Sequence, residues 1–181
     1  MDISTRKLIE EIANFVRKMY SVPMPISDIS KIVELIGGVV KDDFELSELS
    51  DGYIKKTSSV SFEICVSSKC SLERRNFTVA HEIGHLFLHM GYRTNPELWN
   101  SVSDDLVYNR SGQSDEEYQA NSFAAAFLMP ENTFVEVLKR NSNGKTVNMA
   151  SVANYFGVSV SEAVTRGKWL GILRRYTYEL R

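Results

Sequence analysis

The run His81-Glu82-Ile83-Gly84-His85 limits this chain more than any other stretch. It sets polar groups inside a segment that is otherwise apolar nearly all round: Phe77, Val79, Ala80, Ile83, Leu86, Phe87 and Leu88. Such a segment reads as a buried, central helix, expected over about residues 75–90 and stopped at Gly91. Charged or polar groups in that setting are costly unless they serve a purpose. Positions 81 and 85 lie one helical turn apart, so both imidazoles leave the same face, separated by about 6 Å. That spacing suits two neutral imidazoles on one Zn²⁺ ion. Glu82, beside the first of them, is placed to take a proton from a zinc-activated water rather than to bind the metal. The chain has three histidines, and all lie between positions 81 and 89. Gly84, inside the helix, costs about 1 kcal/mol against alanine and implies a close approach by another element.

A catalytic zinc site keeps three protein ligands and an open position, so a third ligand must come from elsewhere. Glu117 is the leading candidate. It opens a helix expected from Ser114 to about Met129, where Glu117, Asn121, Ala124 and Leu128 share one stripe. Spacing alone leaves Asp115 and Glu116 as competitors. Ser114 with Glu117 also fits a capping box, and three acids suit a helix N-terminus without any metal. Asn121 is placed to orient a ligand histidine. His89, one turn beyond His85, reads either as an accessory group in the same cleft or as a polar helix end. Tyr92 is a further accessory candidate for stabilising an oxyanion.

At 181 residues the chain suits one domain with one sizeable core. Its net charge of −2 provides no global field for nucleic acid or a membrane surface. Apolar runs fall far short of the roughly 18 residues that span a bilayer, and no basic-then-apolar leader opens the sequence. A cytoplasmic location is expected. Cys65 and Cys70 read as two reduced thiols. Residues 4–20 are expected as a helix with Leu8, Ile12, Phe15, Val16 and Met19 on its apolar face, and a short helix follows Ser27 and ends at Gly37-Gly38. Strands are expected at Val39-Val40 and on both sides of Thr57-Ser58-Ser59, the second alternating Phe62, Ile64 and Val66. Residues 92–113 read as a long polar loop, a candidate gate for substrate. Helices are then expected from Pro130 to Arg140, over about 147–156 and over about 159–170. The last two outline a helix-turn-helix, with Arg166, Lys168, Arg174 and Arg175 nearby. A DNA contact there is disfavoured, because the second helix exposes few groups suited to base edges. Two packed helices, or a docking surface using Trp169, Tyr176 or Tyr178, are the other readings.

Two blocks together resemble a known family. Arg75-Asn76-Phe77-Thr78-Val79-Ala80-His81-Glu82-Ile83-Gly84-His85-Leu86 resembles the R-x-F-T-L-A-H-E-L-G-H block of the ImmA/IrrE metallopeptidases. Glu117-Tyr118-Gln119-Ala120-Asn121-Ser122-Phe123-Ala124-Ala125, followed by Leu128-Met129-Pro130, resembles the family's second block. Phe156-Gly157-Val158-Ser159 and the segment from Arg166 to Gly171 resemble its closing part. Phe127 and Gly167-Lys168 depart from the usual pattern, away from the chemistry. The resemblance implies zinc held by His81, His85 and Glu117, with Glu82 as general base. It implies a zincin-like (thermolysin-like) core with helices packed on a small twisted sheet. With the residue pattern, this makes the expected fold α+β and mainly helical, with a catalytic domain over residues 1–146 and a helix-turn-helix-like helical extension over 147–181 packed on it. The resemblance also implies an intracellular endopeptidase cutting a helix-turn-helix transcriptional regulator, in a stress-response or mobile-element setting. The alternative is a zinc-stabilised module that binds a repressor or DNA without proteolysis. The presence of Glu82 speaks against it, because a structural site needs ligands only.

Overall fold

The structure is a computed structural model that describes residues 2–46, 51–104, 107–108 and 114–179. It is α+β and mainly helical, with a small mixed four-stranded sheet and a two-stranded sheet. In chain order the elements are α1 (Ile3–Met19), α2 (Ile29–Ile36), β1 (Gly38–Asp43), β2 (Gly52–Lys56), β3 (Phe62–Ser67), α3 (Leu72–Leu88), α4 (Pro96–Ser101), β4 (Val107–Tyr108), α5 (Asp115–Leu128), α6 (Glu131–Arg140), β5 (Thr146–Asn148), α7 (Met149–Phe156), α8 (Val160–Trp169), a 3₁₀ turn (Ile172–Arg175) and β6 (Thr177–Glu179).

Four strands form a sheet in the order β1-β3-β2-β4, with β1 parallel to β3 and the other pairs antiparallel. The alternation of Phe62, Ile64 and Val66 puts all three in the core. The other face of β3 is covered as well, where the Glu63 carboxylate pairs with Lys41 and with Lys55. Both cysteines are free thiols. The central pair is α3 and α5. α3 begins at Leu72, three residues earlier than expected, because Ser71 caps it by accepting from the Arg74 amide at 3.3 Å. Gly84 lies where α3 meets α5. A Cβ there would stand 3.1 Å from Ala120 Cα and 3.2 Å from Phe123 Cβ, so the glycine permits the close approach that its position implied.

Several expectations need correction. The apolar stripe expected on α1 is buried only in part: Val16 is buried and Ile12 packs against the core, but Leu8, Phe15 and Met19 are exposed, and Ile9 and Ala13 are buried instead. α1 packs on α5, and the buried side includes small Ala13, which a count of large side chains overlooks. Asp28 rather than Ser27 caps α2, accepting from the Ser30 amide. The polar stretch 92–113 is not wholly irregular. Asn95 caps α4 by accepting from the Leu98 amide at 3.1 Å, Pro96 occupies the first turn, and Trp99 is buried with its indole donating to the Ser59 carbonyl at 2.7 Å. Residues 105–106 and 109–113 of that stretch lie outside the described residues. The parallel pairing of β5 with β6 was not expected. Of the four cations placed near the C-terminal helices, Arg166 points inward: it is buried, donates from Nε to the Met129 carbonyl at 3.0 Å, and holds Glu10 with both terminal nitrogens at 2.5 and 2.8 Å. No helix of the described residues is long and apolar enough to cross a membrane.

Candidate metal centre

α3 presents His81 and His85 on one face, and α5 brings Glu117 against them. His81 Nε2 and His85 Nε2 stand 3.0 Å apart. Glu117 Oε2 lies 3.2 Å from His81 Nε2, and Oε1 lies 3.2 Å from His85 Nε2. One ligand atom from each residue falls within 4.8 Å of the others, and among the described residues this His-His-Glu set is the group able to hold a metal ion. Asp115 and Glu116, which spacing left open as ligands, do not belong to that group.

The charges within the cluster favour a cation at its centre. Burial works against charging His81, but the Glu117 carboxylate and the nearby Glu82 outweigh it, and the imidazole is held above its ordinary value. Burial pushes Glu117 upward too, yet its hydrogen bond to His81 and the three histidines together hold it below the usual carboxylate value. A carboxylate held low against the His81 imidazole held high describes a site where positive charge among the donors is stabilised. A divalent ion supplies that charge without protonating the imidazoles, so the residues present fit a metal. Two imidazoles and a carboxylate match zinc's preferred donors.

Glu82 is 5% exposed, and among the described residues its Oε2 is buried with no hydrogen-bond partner. Burial raises its carboxyl to about 7; His81 opposes the shift and Glu117 adds to it. Native proteins rarely leave a buried carboxylate oxygen without a partner, and such orphans concentrate at functional sites.

The outer nitrogens of the histidines are also engaged. Asn121 Oδ1 lies 3.0 Å from His81 Nδ1. His89 closes the C-terminus of α3 and also turns inward, with Nδ1 2.9 Å from His85 Nδ1 and Nε2 3.1 Å from Gln119 Oε1. Both readings of His89 therefore describe the same residue. Gln119 was missed by the sequence reading. Its available signal was the third histidine on the 81/85/89 stripe, whose outer nitrogen needs an acceptor from α5. Tyr92 is not brought to the cluster. Its ring packs edge-on against Phe62, Phe87 and Trp99, and its buried hydroxyl lies 3.0 Å from the Ile36 carbonyl and 3.2 Å from that of Val60.

A His-His-Glu set that could hold a metal ion lies beside the buried Oε2 of Glu82, and the sequence comparisons identify the class of protein. Residues 39–167 match the IrrE N-terminal-like domain of the peptidase M78 family, and the chain belongs to that family. The family implies a metal cofactor. More particularly, the chain is 34% identical over 133 residues to the radiation response metalloprotease IrrE of Deinococcus radiodurans, a match covering 72% of this chain and 38% of that one. The fold is shared with a Mycobacterium tuberculosis transcriptional regulator at a TM-score of 0.58 and 16% identity, over 87% of this chain and 45% of that one. The chain thus spans less than half the length of either relative.

Proposed function

We propose that this chain is a zinc-dependent endopeptidase with a zincin-like core. The observation that carries this reading is the orphaned Oε2 of Glu82 beside the His81, His85 and Glu117 donor set. In this reading His81 and His85 ligate through Nε2 and Glu117 through its carboxylate. When bound, zinc supplies Lewis acidity toward water and toward a peptide carbonyl. Glu82 accepts a proton from the attacking water at Oε2 and returns it to the leaving amine. A carboxyl held near 7 by burial suits both halves of that exchange. Asn121 accepts from His81 Nδ1–H and thereby fixes the ring's orientation and tautomer.

The substrate is a protein, and the resemblance of the two motif blocks favours a helix-turn-helix transcriptional regulator. Residues 1–146 carry the chemistry. The C-terminal region from residue 147 serves as an extension packed on them, and the inward turn of Arg166 removes one of the cations that a DNA contact would use. The test is to load the purified chain with zinc and incubate it with a helix-turn-helix regulator encoded beside it, following cleavage by intact-mass spectrometry. A discrete cut by wild type, lost on chelation and in Glu82→Gln, is expected. Regulation that persists in Glu82→Gln without any cut would instead favour a zinc-stabilised binding module.

A further inference from the structure

Resting on the zinc reading above, we propose that His89 and Gln119 are positioning residues for the ligand His85, acting as a two-step hydrogen-bond chain that fixes its tautomer. Two ring nitrogens at 2.9 Å can bond only if one carries a proton and the other a lone pair. A histidine that ligates through Nε2 is neutral and carries its proton on Nδ1. His85 Nδ1–H therefore donates, and His89 Nδ1 accepts. A neutral His89 then has its own proton on Nε2, which points at Gln119 Oε1 at 3.1 Å, an atom that only accepts. With Gln119 Oε1 facing His89, one proton assignment satisfies both contacts, and it is the one that turns the His85 Nε2 lone pair toward the metal.

The opposite assignment has the opposite effect. If the Gln119 amide turns and donates its N–H to His89 Nε2, His89 Nδ1–H donates to His85 Nδ1. The proton of a neutral His85 then sits on Nε2, facing Glu117, and blocks ligation. The orientation of one amide on α5 thus selects between a ligating and a non-ligating His85. The two ligand histidines are supported differently: His81 directly by Asn121, and His85 at one remove, through a second imidazole. Both supports end on α5 amide oxygens two residues apart, so the helix that delivers Glu117 also orients its partner ligands.

The experiment measures zinc affinity by competition with a fluorescent chelator, alongside ¹⁵N spectra of the histidine rings in the zinc-loaded chain. Gln119→Leu removes the acceptor, and His89→Phe keeps the ring shape without any nitrogen. Each is expected to weaken zinc binding by about 10- to 100-fold, the usual consequence of losing an outer support of a ligand. Gln119→Glu, an acceptor in either orientation, should keep wild-type affinity or exceed it. In wild type the His85 ring should be protonated on Nδ1, hydrogen-bonded there, and metal-bound on Nε2. Wild-type affinity in both Gln119→Leu and His89→Phe overturns the proposal while leaving the zinc reading intact. Equal losses in Gln119→Leu and Gln119→Glu overturn it too, since only the first removes the acceptor. A wild-type chain that binds no zinc overturns the zinc reading and this one with it. Should His89→Phe fail to fold, the two Gln119 variants, at a half-exposed position, decide alone.

Discussion

The two ends of α5 handle buried polar groups in opposite ways. At the C-terminal end two arginines close the contacts on the last carbonyls. Arg17 donates to the Phe127 carbonyl at 2.7 Å, Arg166 donates to the Met129 carbonyl at 3.0 Å, and Arg166 is paired through both terminal nitrogens with Glu10. These cations satisfy carbonyls that a helix end leaves without partners, and they complement its dipole. Toward the N-terminal end, Glu117 meets two imidazole nitrogens that would repel one another unless a cation or a proton lay between them, and neighbouring Glu82 keeps an oxygen without a partner. At one end cations of this chain satisfy the helix's last carbonyls, and at the other three donor atoms converge on one point.

Glu82→Gln should separate the two most strongly. Loss of the general base is expected to lower cleavage by about 10²- to 10⁴-fold while zinc stoichiometry stays at the wild-type value. Elemental analysis and a cleavage assay on the same preparation check this, and loss of zinc together with cleavage would reassign Glu82 to metal binding. At the other end, Arg166→Met strands the Glu10 carboxylate and the Met129 carbonyl that Arg166 holds. The expected cost is about 3–5 kcal/mol of stability, read by chemical denaturation. If the double variant Arg166→Met/Glu10→Leu recovers most of that loss, the penalty lies in the unpaired charge. If it recovers none, packing around Arg166 was the larger part.

The sequence was more informative about the open end than about the closed one. A pair of histidines one turn apart is a local pattern, and a helical reading places both on one face without knowledge of any other element. Glu117 was harder, because its capping geometry and its ligand geometry coincide: Ser114 Oγ does accept from the Glu117 amide at 3.3 Å while the carboxylate faces the histidines. The partner of Arg166 was not legible, since Glu10 is 156 residues away and nothing local distinguishes it from other acids on α1. The apolar stripe of α1 was only partly legible for a related reason. Periodicity picked out Ile12 and Val16, but packing against α5 turned Ile9 and Ala13 inward and left Leu8, Phe15 and Met19 exposed. The short α4 was legible in its Asn95-Pro96 start and was overlooked because the polar residues around it also suit a loop.

The orphaned carboxylate should also cost stability before any metal is added. Glu82 has its folded pKa raised from 4.5 to about 7, so the folded state keeps a proton that the unfolded state releases across that range. Stability of the metal-free protein therefore falls as pH rises from about 4.5 to 7, by an amount on the order of 3 kcal/mol from this group. Glu82→Gln cannot ionise and should lack that decline. With chelator present, the variant should melt above wild type at pH 8 and close to it at pH 4.5. An offset independent of pH would mean that the substitution acts through packing and not through the proton.

The smallest effect is expected at the contact that joins α3 to α5. Gly84→Ala gains about 1 kcal/mol of helix propensity. Against that, the new methyl meets Ala120 Cα at 3.1 Å, its carbonyl oxygen at 3.2 Å and Phe123 Cβ at 3.2 Å, all backbone or near-backbone atoms of α5 that cannot swing aside. Overpacking of this kind costs about 1–3 kcal/mol, which leaves a net loss of about 1 kcal/mol and a fall of about 2–4 °C in the melting temperature of the metal-free protein. The strain is relieved by moving the helices apart by a few tenths of an ångström, and that movement separates Glu117 from His81 and His85. Zinc affinity should therefore fall by more than the stability change alone would suggest, whereas the Arg166–Glu10 pair, which does not include α3, should be unaffected. A higher melting temperature with unchanged zinc affinity would show that the helices tolerate the methyl, and that the glycine does not set the spacing of the ligands.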